Sequence, residues 1–284
     1  MTTPALATGP TARPAVPTRR PTFGDVLRSE WIKLASLPSA VLALVGILVV
    51  GLGGSLFLGA TLESSGVPST PSLERTIGDV TIPMVVLGQI VAGILGVMSV
   101  GAEYSSGSIQ TTLMAVPTRL RVLWAKAIVQ FLAVTGTALV TVFGAWAATY
   151  PFYAKHGLEA PLSGPGVLVA LLGAAAYLGM CAVVGVGIGM LVRSTTVGAI
   201  LIFAATLLGP ILASALPYSL ISRIARVVLL GNAGDTMARV ESPGGPFLDI
   251  WSGHISTAAG WLIVSLWVVL ALAAGAIALQ NRDA

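Results

Sequence analysis

Six apolar runs free of Asp, Glu, Lys, Arg and His occupy about 39–60, 82–101, 127–150, 166–192, 197–217 and 258–279. Each reaches the roughly 20 residues that a helix needs to cross about 30 Å of hydrocarbon. Lipid offers the backbone no hydrogen-bond partner, so the pattern predicts six spanning helices. Their Gly, Ala and Leu content, without alternation of polar and apolar residues, argues against a membrane β-barrel.

Two shorter segments have a helical two-faced pattern. Over residues 23–37, Phe23, Val26, Leu27, Trp31, Leu34 and Leu37 gather on one side, with Asp25, Arg28, Ser29, Lys33 and Ser36 on the other. This predicts an amphipathic interfacial helix over 22–38, lying in the headgroup layer with Trp31 at the interface. Ile32 points toward water and Glu30 stands at the edge of the apolar face, where a lipid anchor gains nothing from it. Two readings stand: a membrane-surface anchor, or an elbow that also touches a cytoplasmic partner through Glu30 and Ile32. Between Tyr218 and Leu230, Leu220, Ile221, Ile224, Val227 and Val228 oppose Ser219, Ser222, Arg223 and Arg226. That segment is expected to lie flat on the outer side or re-enter from it, as a cap on the bundle or a gate. The rest of its loop, through Pro243-Gly244-Gly245-Pro246 to Trp251, is too short and turn-rich for a separate domain.

Composition agrees with a membrane setting: 55% of residues are hydrophobic, 9% are charged and the mean hydropathy is +0.92. The expected fold is an all-α integral membrane protein, with a disordered cytoplasmic tail over 1–21 and a six-helix domain over 39–284. The first apolar run follows a long polar stretch and is long enough to span, which predicts no removable signal. Arg13, Arg19, Arg20, Arg28, Lys33, Arg119, Arg121, Lys126, Arg193 and Arg282 fall on one side of six spans. Arg75, Lys155, Arg223, Arg226 and Arg239 fall on the other, partly matched by acids. Under the positive-inside rule both termini are cytoplasmic, in a multi-pass plasma-membrane protein. The formal charge of +4 comes from basic residues that favour anionic headgroups, so no nucleic-acid partner is expected.

The spans carry no carboxylate, histidine, lysine or arginine at membrane depth, and Cys181 is read as a packing residue. Proton-coupled carriers and intramembrane hydrolases usually hold carboxylates, histidines or lysines there. A central Asp costs about 2.5–3.5 kcal/mol of insertion free energy, so carrying one demands a purpose. Gln89 and Gln130 are expected to be interhelical hydrogen-bond partners, and the small residues Gly51, Ser55 and Gly59, or Gly88, Ala92 and Gly96, to mark close helix contacts. Pro210 is expected to kink the fifth span. No GxxxxGK[ST] loop is present, so the chain is not expected to bind ATP, and no cofactor, metal or catalytic residue is assigned to it. His156 and His254 lie in outer loops without metal-ligand spacing. The competing class is the membrane-anchoring or catalytic subunit of a membrane enzyme with its site in the outer loop 218–256, where His254, Asp235 and Asp249 are the candidates. A sensory or structural membrane protein is a third reading.

Between the second and third runs stands Glu103-Tyr104-Ser105-Ser106-Gly107-Ser108-Ile109-Gln110-Thr111-Thr112-Leu113-Met114-Ala115-Val116-Pro117. If Ser105 or Ser106 caps it, a short helix over about 105–116 lies parallel to the membrane, with Ile109, Thr112, Leu113 and Val116 on one stripe. A plain interfacial loop accounts for the following Arg119, Arg121 and Lys126. It accounts less well for an exposed face of small side chains, which suits a groove on another protein.

Ser29-Glu30-Trp31-Ile32-Lys33-Leu34, the segment from Glu103 through Ile109 with Thr111-Thr112-Leu113 and Pro117, and Leu191-Val192-Arg193-Ser194-Thr195 together resemble the permease subunits of type-2 ABC exporters. The resemblance runs from about 22 to 281. It implies a dimer of six-helix units, formed with a second copy or a paralogue, above separately encoded ATP-binding subunits that hold ATP and Mg. It also implies an amphipathic connecting helix at 23–37 and a coupling helix at about 105–116. The partner-coupling residues it indicates are Glu30, Glu103, Ser106, Gly107, Ile109, Gln110, Thr112 and Leu113, with Glu103 anchoring the segment at the membrane. The chain departs from the family at Gln110 and Ala35, where Arg is common. Alternating access along a path lined by the second and fifth spans, with lipid-like or drug-like cargo, is what the resemblance implies for mechanism.

Overall fold

The structure, a computed structural model, describes residues 21–67, 70, 72–115, 118–241 and 244–281, without the side chains of 111–113 and 115. The tail expected to be disordered therefore lies, except for residue 21, outside the described residues, as do Val116 and Pro117.

Helix α1 (Phe23–Ser36) opens on a capping box: Asp25 N–H donates to Thr22 Oγ1 at 3.3 Å and Thr22 N–H to Asp25 Oδ2 at 2.8 Å. Leu37 is extended and Pro38 starts α2 (Pro38–Ala60), so the chain turns an elbow where proline suits a first helical position. A single turn at Leu62–Ser65 leads to α3, Leu73–Ser105, which contains Pro83 and a π turn at Met84–Gly88. A short helix α4 (Ser108–Ala115) precedes α5 (Arg119–Ala154), α6 (Val167–Val192) and α7, Thr195–Ala215. Helices α8 (Leu220–Val228) and α9 (Leu230–Met237) follow, then a two-stranded antiparallel hairpin, β1 (Leu248–Asp249) with β2 (His254–Ile255), and α10 (Thr257–Asn281).

Among the described residues six helices, α2, α3, α5, α6, α7 and α10, are long and apolar enough to cross a membrane. The protein is an all-α multi-pass membrane protein in this sense. Two spans start earlier than the apolar runs predict: α3 at Leu73 and α5 at Arg119. The reason is that backbone hydrogen bonding does not stop where charges begin. Both helices continue through charged residues into what would be the interfacial layer.

Helix α6 is the axis of the bundle, buried along most of its length and packed by α3, α5 and α10, whereas α2 and α7 expose most of theirs. A Cβ on Gly96 would lie 2.0 Å from Ala182 O, and one on Gly185 would lie 2.1 Å from Gly93 O. Helices α3 and α6 therefore cross at backbone contact, which only glycine permits. The stripe on α2 is also used within the chain: Ser55 Oγ donates to Val80 O at 2.8 Å.

The kink expected at Pro210 takes the form of a π turn, Ala204–Leu208, just ahead of it. Proline supplies no N–H to the preceding turn. Thr206 O, in that turn, accepts Gln89 Nε2 from α3 at 3.2 Å, while Tyr177 Oη of α6 donates to Gln89 Oε1. Gln89 is thus the interhelical partner expected from sequence. At the same end α8 caps the bundle: Arg226 donates to Ala213 O, Ser214 O and Leu216 O, closing the carbonyl end of α7. Val227 is buried, while Leu220, Ile221 and Ile224 are exposed.

Candidate functional site

At the end of the bundle where α1 lies, four charged side chains from three helices meet. The buried stripe of α1 runs Val26, Glu30, Leu34, with Val26 against Val122 and Ala125 of α5. Glu30 is carried inward by the same helical period as its apolar neighbours. It is 5% exposed and Lys126 is 2% exposed. Lys126 Nζ donates to Glu30 Oε2 at 2.7 Å, to Glu103 Oε1 at 2.7 Å and to Ser99 O at 3.1 Å. All three ammonium hydrogens are used. Lys33 Nζ closes the ring, 2.7 Å from Glu30 Oε1 and 2.8 Å from Glu103 Oε1. Burial works against the charge on Lys33, yet its bonds to Glu103 and Glu30 outweigh it and hold the ammonium above its usual range.

Glu103 therefore anchors the root of the α3–α4 turn to α1 and α5. The serines there, anticipated from sequence as caps of α4, instead end α3. Ser105 Oγ and Ser106 Oγ donate back to Ala102 O at 3.0 and 2.9 Å, satisfying the carbonyl end of α3. Gly107 has φ +72°, the left-handed conformation that suits glycine at a helix end, and α4 starts only at Ser108. Ile109 is 2% exposed and so turns into the protein, where it fixes α4 to the bundle instead of facing outward. Gln110 is exposed and Met114 is 77% exposed. Thr112 and Leu113 have helical backbone, and their side chains lie outside the described residues. Next to this turn Arg193, with φ +56°, ends α6 and stacks 4.9 Å from the centre of the Tyr104 ring. Arg119 Nη1 donates to Leu279 O at 2.9 Å, tying the start of α5 to the end of α10.

A cavity of about 330 Å³ opens beside the quartet, between α1, α2, α3 and α5. Gln130 faces it and is 3% exposed. Its Oε1 has no partner among the described residues, so the interhelical bond expected of it is not made by that atom.

The opposite end holds a larger cavity of about 600 Å³, lined by Glu74, Arg226, Asp235, Arg239, Glu241 and His254 among others. Asp235 pairs with Arg239 one helical turn on. The Asp249 carboxylate accepts Trp251 N–H and Ser252 Oγ, which hold it below the usual carboxylate range. Asp235 and Asp249 are thus drawn into separate contacts, while His254, set opposite Asp249 by β1 and β2, lines the same cavity as Asp235 and its Nε2 has no partner among the described residues.

Sequence reading finds Glu30 and Glu103 but leaves Lys33 on a solvated face and Lys126 among headgroup cations. The signal for their pairing is Glu30 itself, since a carboxylate on the buried face of a helix needs a cation. No protein-family model matches the chain, and no curated protein matches it.

Proposed function

We propose that the chain is the permease subunit of an ATP-driven ABC transporter of the type-2 exporter class. It works as a dimer in the plasma membrane, with both termini cytoplasmic, and separate ATP-binding subunits supply ATP and Mg. The observation that carries this reading is the ion quartet at the root of α4. A surface helix of eight residues, roofed by exposed Gln110 and Met114, is joined through Glu103 to Lys126 of α5 and to Glu30 and Lys33 of α1. A push on α4 is thereby delivered to three helices at once, because a largely buried ion cluster has no cheap alternative arrangement. Closure of the ATP-binding subunits would move α4 and rock the bundle between two packings, passing lipid-like or drug-like cargo. The chain itself contributes a path and a lever, and the hydrolytic chemistry belongs to its partner.

The test is Met114→Asp, a change at an exposed position that the fold tolerates. Co-expressed with its ATP-binding subunit, the variant should insert normally and lose co-purification by about tenfold or more, as expected when a charge replaces an interface anchor. Unchanged co-purification together with unchanged cargo-stimulated ATP hydrolysis would reject the reading. So would cargo transport by the isolated chain.

A further inference from the structure

The cavity beside the quartet is formed by single faces of its helices. On α1 the lining residues Lys33, Leu34 and Leu37, and on α3 Leu95, Met98, Ser99 and Ala102, follow the three- and four-residue spacing of one helical face. Its floor is apolar, since Leu34, Ala40, Leu95 and Val129 are all buried there. Its mouth is mixed: Ser39, Ser106 and Ser108 are exposed, as are Leu37 and Ala102. Ser99 adds little polarity, because its Oγ donates to Gly96 O at 2.7 Å. A volume of about 330 Å³ is within the range of small-molecule sites. About ten waters would fill it, at roughly 30 Å³ each, and most would face carbon. An alkyl chain suits such walls better.

Charge narrows the ligand further. Glu30, Lys33, Glu103 and Lys126 line this cavity as two carboxylates and two ammonium groups, already paired with each other. A cationic head would stand beside both lysines and an anionic head beside both glutamates, so neither sign gains. Lys33 spends two of its three ammonium hydrogens on Glu30 and Glu103, which leaves one for a neutral oxygen. Ser106 Oγ gives its hydrogen to Ala102 O at 2.9 Å and keeps acceptor capacity at the mouth. A hydroxyl both accepts and donates, so it fits this edge. We propose that the cavity binds an uncharged, hydroxyl-bearing amphiphile, with one alkyl chain along the floor and the head at the serine-lined mouth beside Lys33. The elbow that carries Leu37 and Ser39 joins an interfacial helix to a span, so an amphiphile in the bilayer arrives with its head at the matching depth. The head can belong to a neutral membrane glycerolipid or to a soluble single-chain amphiphile; the chemistry is shared. The proposal does not depend on the transport reading, because the cavity is formed by this chain alone.

The experiment uses the full chain in phosphatidylcholine nanodiscs without any partner, and measures binding of radiolabelled dodecanoylglycerol against empty nanodiscs. Saturable one-to-one binding is expected, with dodecyl phosphate and dodecyltrimethylammonium competing much more weakly than the unlabelled neutral ligand. Ala102→Leu, at an exposed position of the mouth, should weaken binding about tenfold, as when one or two methylene groups are expelled from their site. Met98→Ala should enlarge the cavity and lengthen the preferred acyl chain by about two carbons in a homologous series. The second effect separates a reshaped site from misfolding, which would weaken binding of every chain length. Uptake no greater than that of empty discs, equal competition by either charged amphiphile, or unchanged affinity and chain preference in both variants would each overturn the proposal. Replacing part of the phosphatidylcholine by diacylglycerol then distinguishes the sources. Competition assigns the site to a membrane glycerolipid and its absence to a soluble amphiphile, and both outcomes support the uncharged head.

Discussion

Lys126 is the residue on which the α1 end turns. It gives up nearly all contact with solvent and bonds two carboxylates and a carbonyl. Lys126→Met should cost about 3–5 kcal/mol, because it leaves two buried carboxylates sharing one half-exposed cation, Lys33. Lys33→Met removes a half-exposed member and should cost about 1 kcal/mol or less. Thermal unfolding of the purified chain in detergent measures both, and equal losses would show that the quartet is not centred on Lys126. At the other glutamine, Gln89→Leu removes the side-chain donor to Thr206 O and leaves Tyr177 Oη only its longer bond to Leu230 O, and should cost about 2 kcal/mol. Adding Tyr177→Phe should then cost less than it does alone, since the two changes share one bond. How much of this is legible in sequence differs by residue. Glu30 stands out because it interrupts an apolar face. Its partner does not, because Lys126 is 96 positions away and ends a charged stretch that looks like a headgroup contact. Gln130 shows the limit: a glutamine in a span implies a hydrogen bond, and only three dimensions reveal that its Oε1 is buried without a partner among the described residues.

At the scale of elements, the spans are legible because hydrocarbon thickness fixes their length, and their ends are not, because a helix does not end at its first charge. The short α4 follows the same logic: Gly107 and Pro117 bracket it, but the serines placed to start it instead finish α3. The π turns in α3 and α7 are illegible in hydropathy, although each lies next to a proline. Helix α1 makes a prediction of its own. The Lys33 ammonium is favoured by folding, so its contribution is complete below the ordinary lysine range and is lost only as pH rises through the higher folded value. In a variant whose other five tryptophans are replaced by Phe, Trp31, exposed on α1, should therefore keep one emission maximum across neutral and mildly alkaline pH, and shift only in strong alkali. A shift near neutrality would mean that the tether is not held by Lys33.

For the whole molecule, an even number of spans puts both ends of the chain on one side, and the contact of Arg119 with Leu279 O draws the end of α10 to the end that carries α1 and α4. The basic residues Arg28, Lys33, Arg119, Arg121, Lys126 and Arg193 belong to this same end, so the positive-inside rule predicts that it faces the cytoplasm. The only native cysteine, Cys181, is fully buried in α6 and should be silent to a membrane-impermeant maleimide. Two exposed positions then report the two sides: Phe247, next to the hairpin, and Gln280, near the end of α10. On intact cells Phe247→Cys should be labelled and Gln280→Cys should not, with labelling of Gln280→Cys appearing once the membrane is permeabilised. The reverse pattern would place α4 and the quartet outside the cell, where no ATP-binding subunit could reach them.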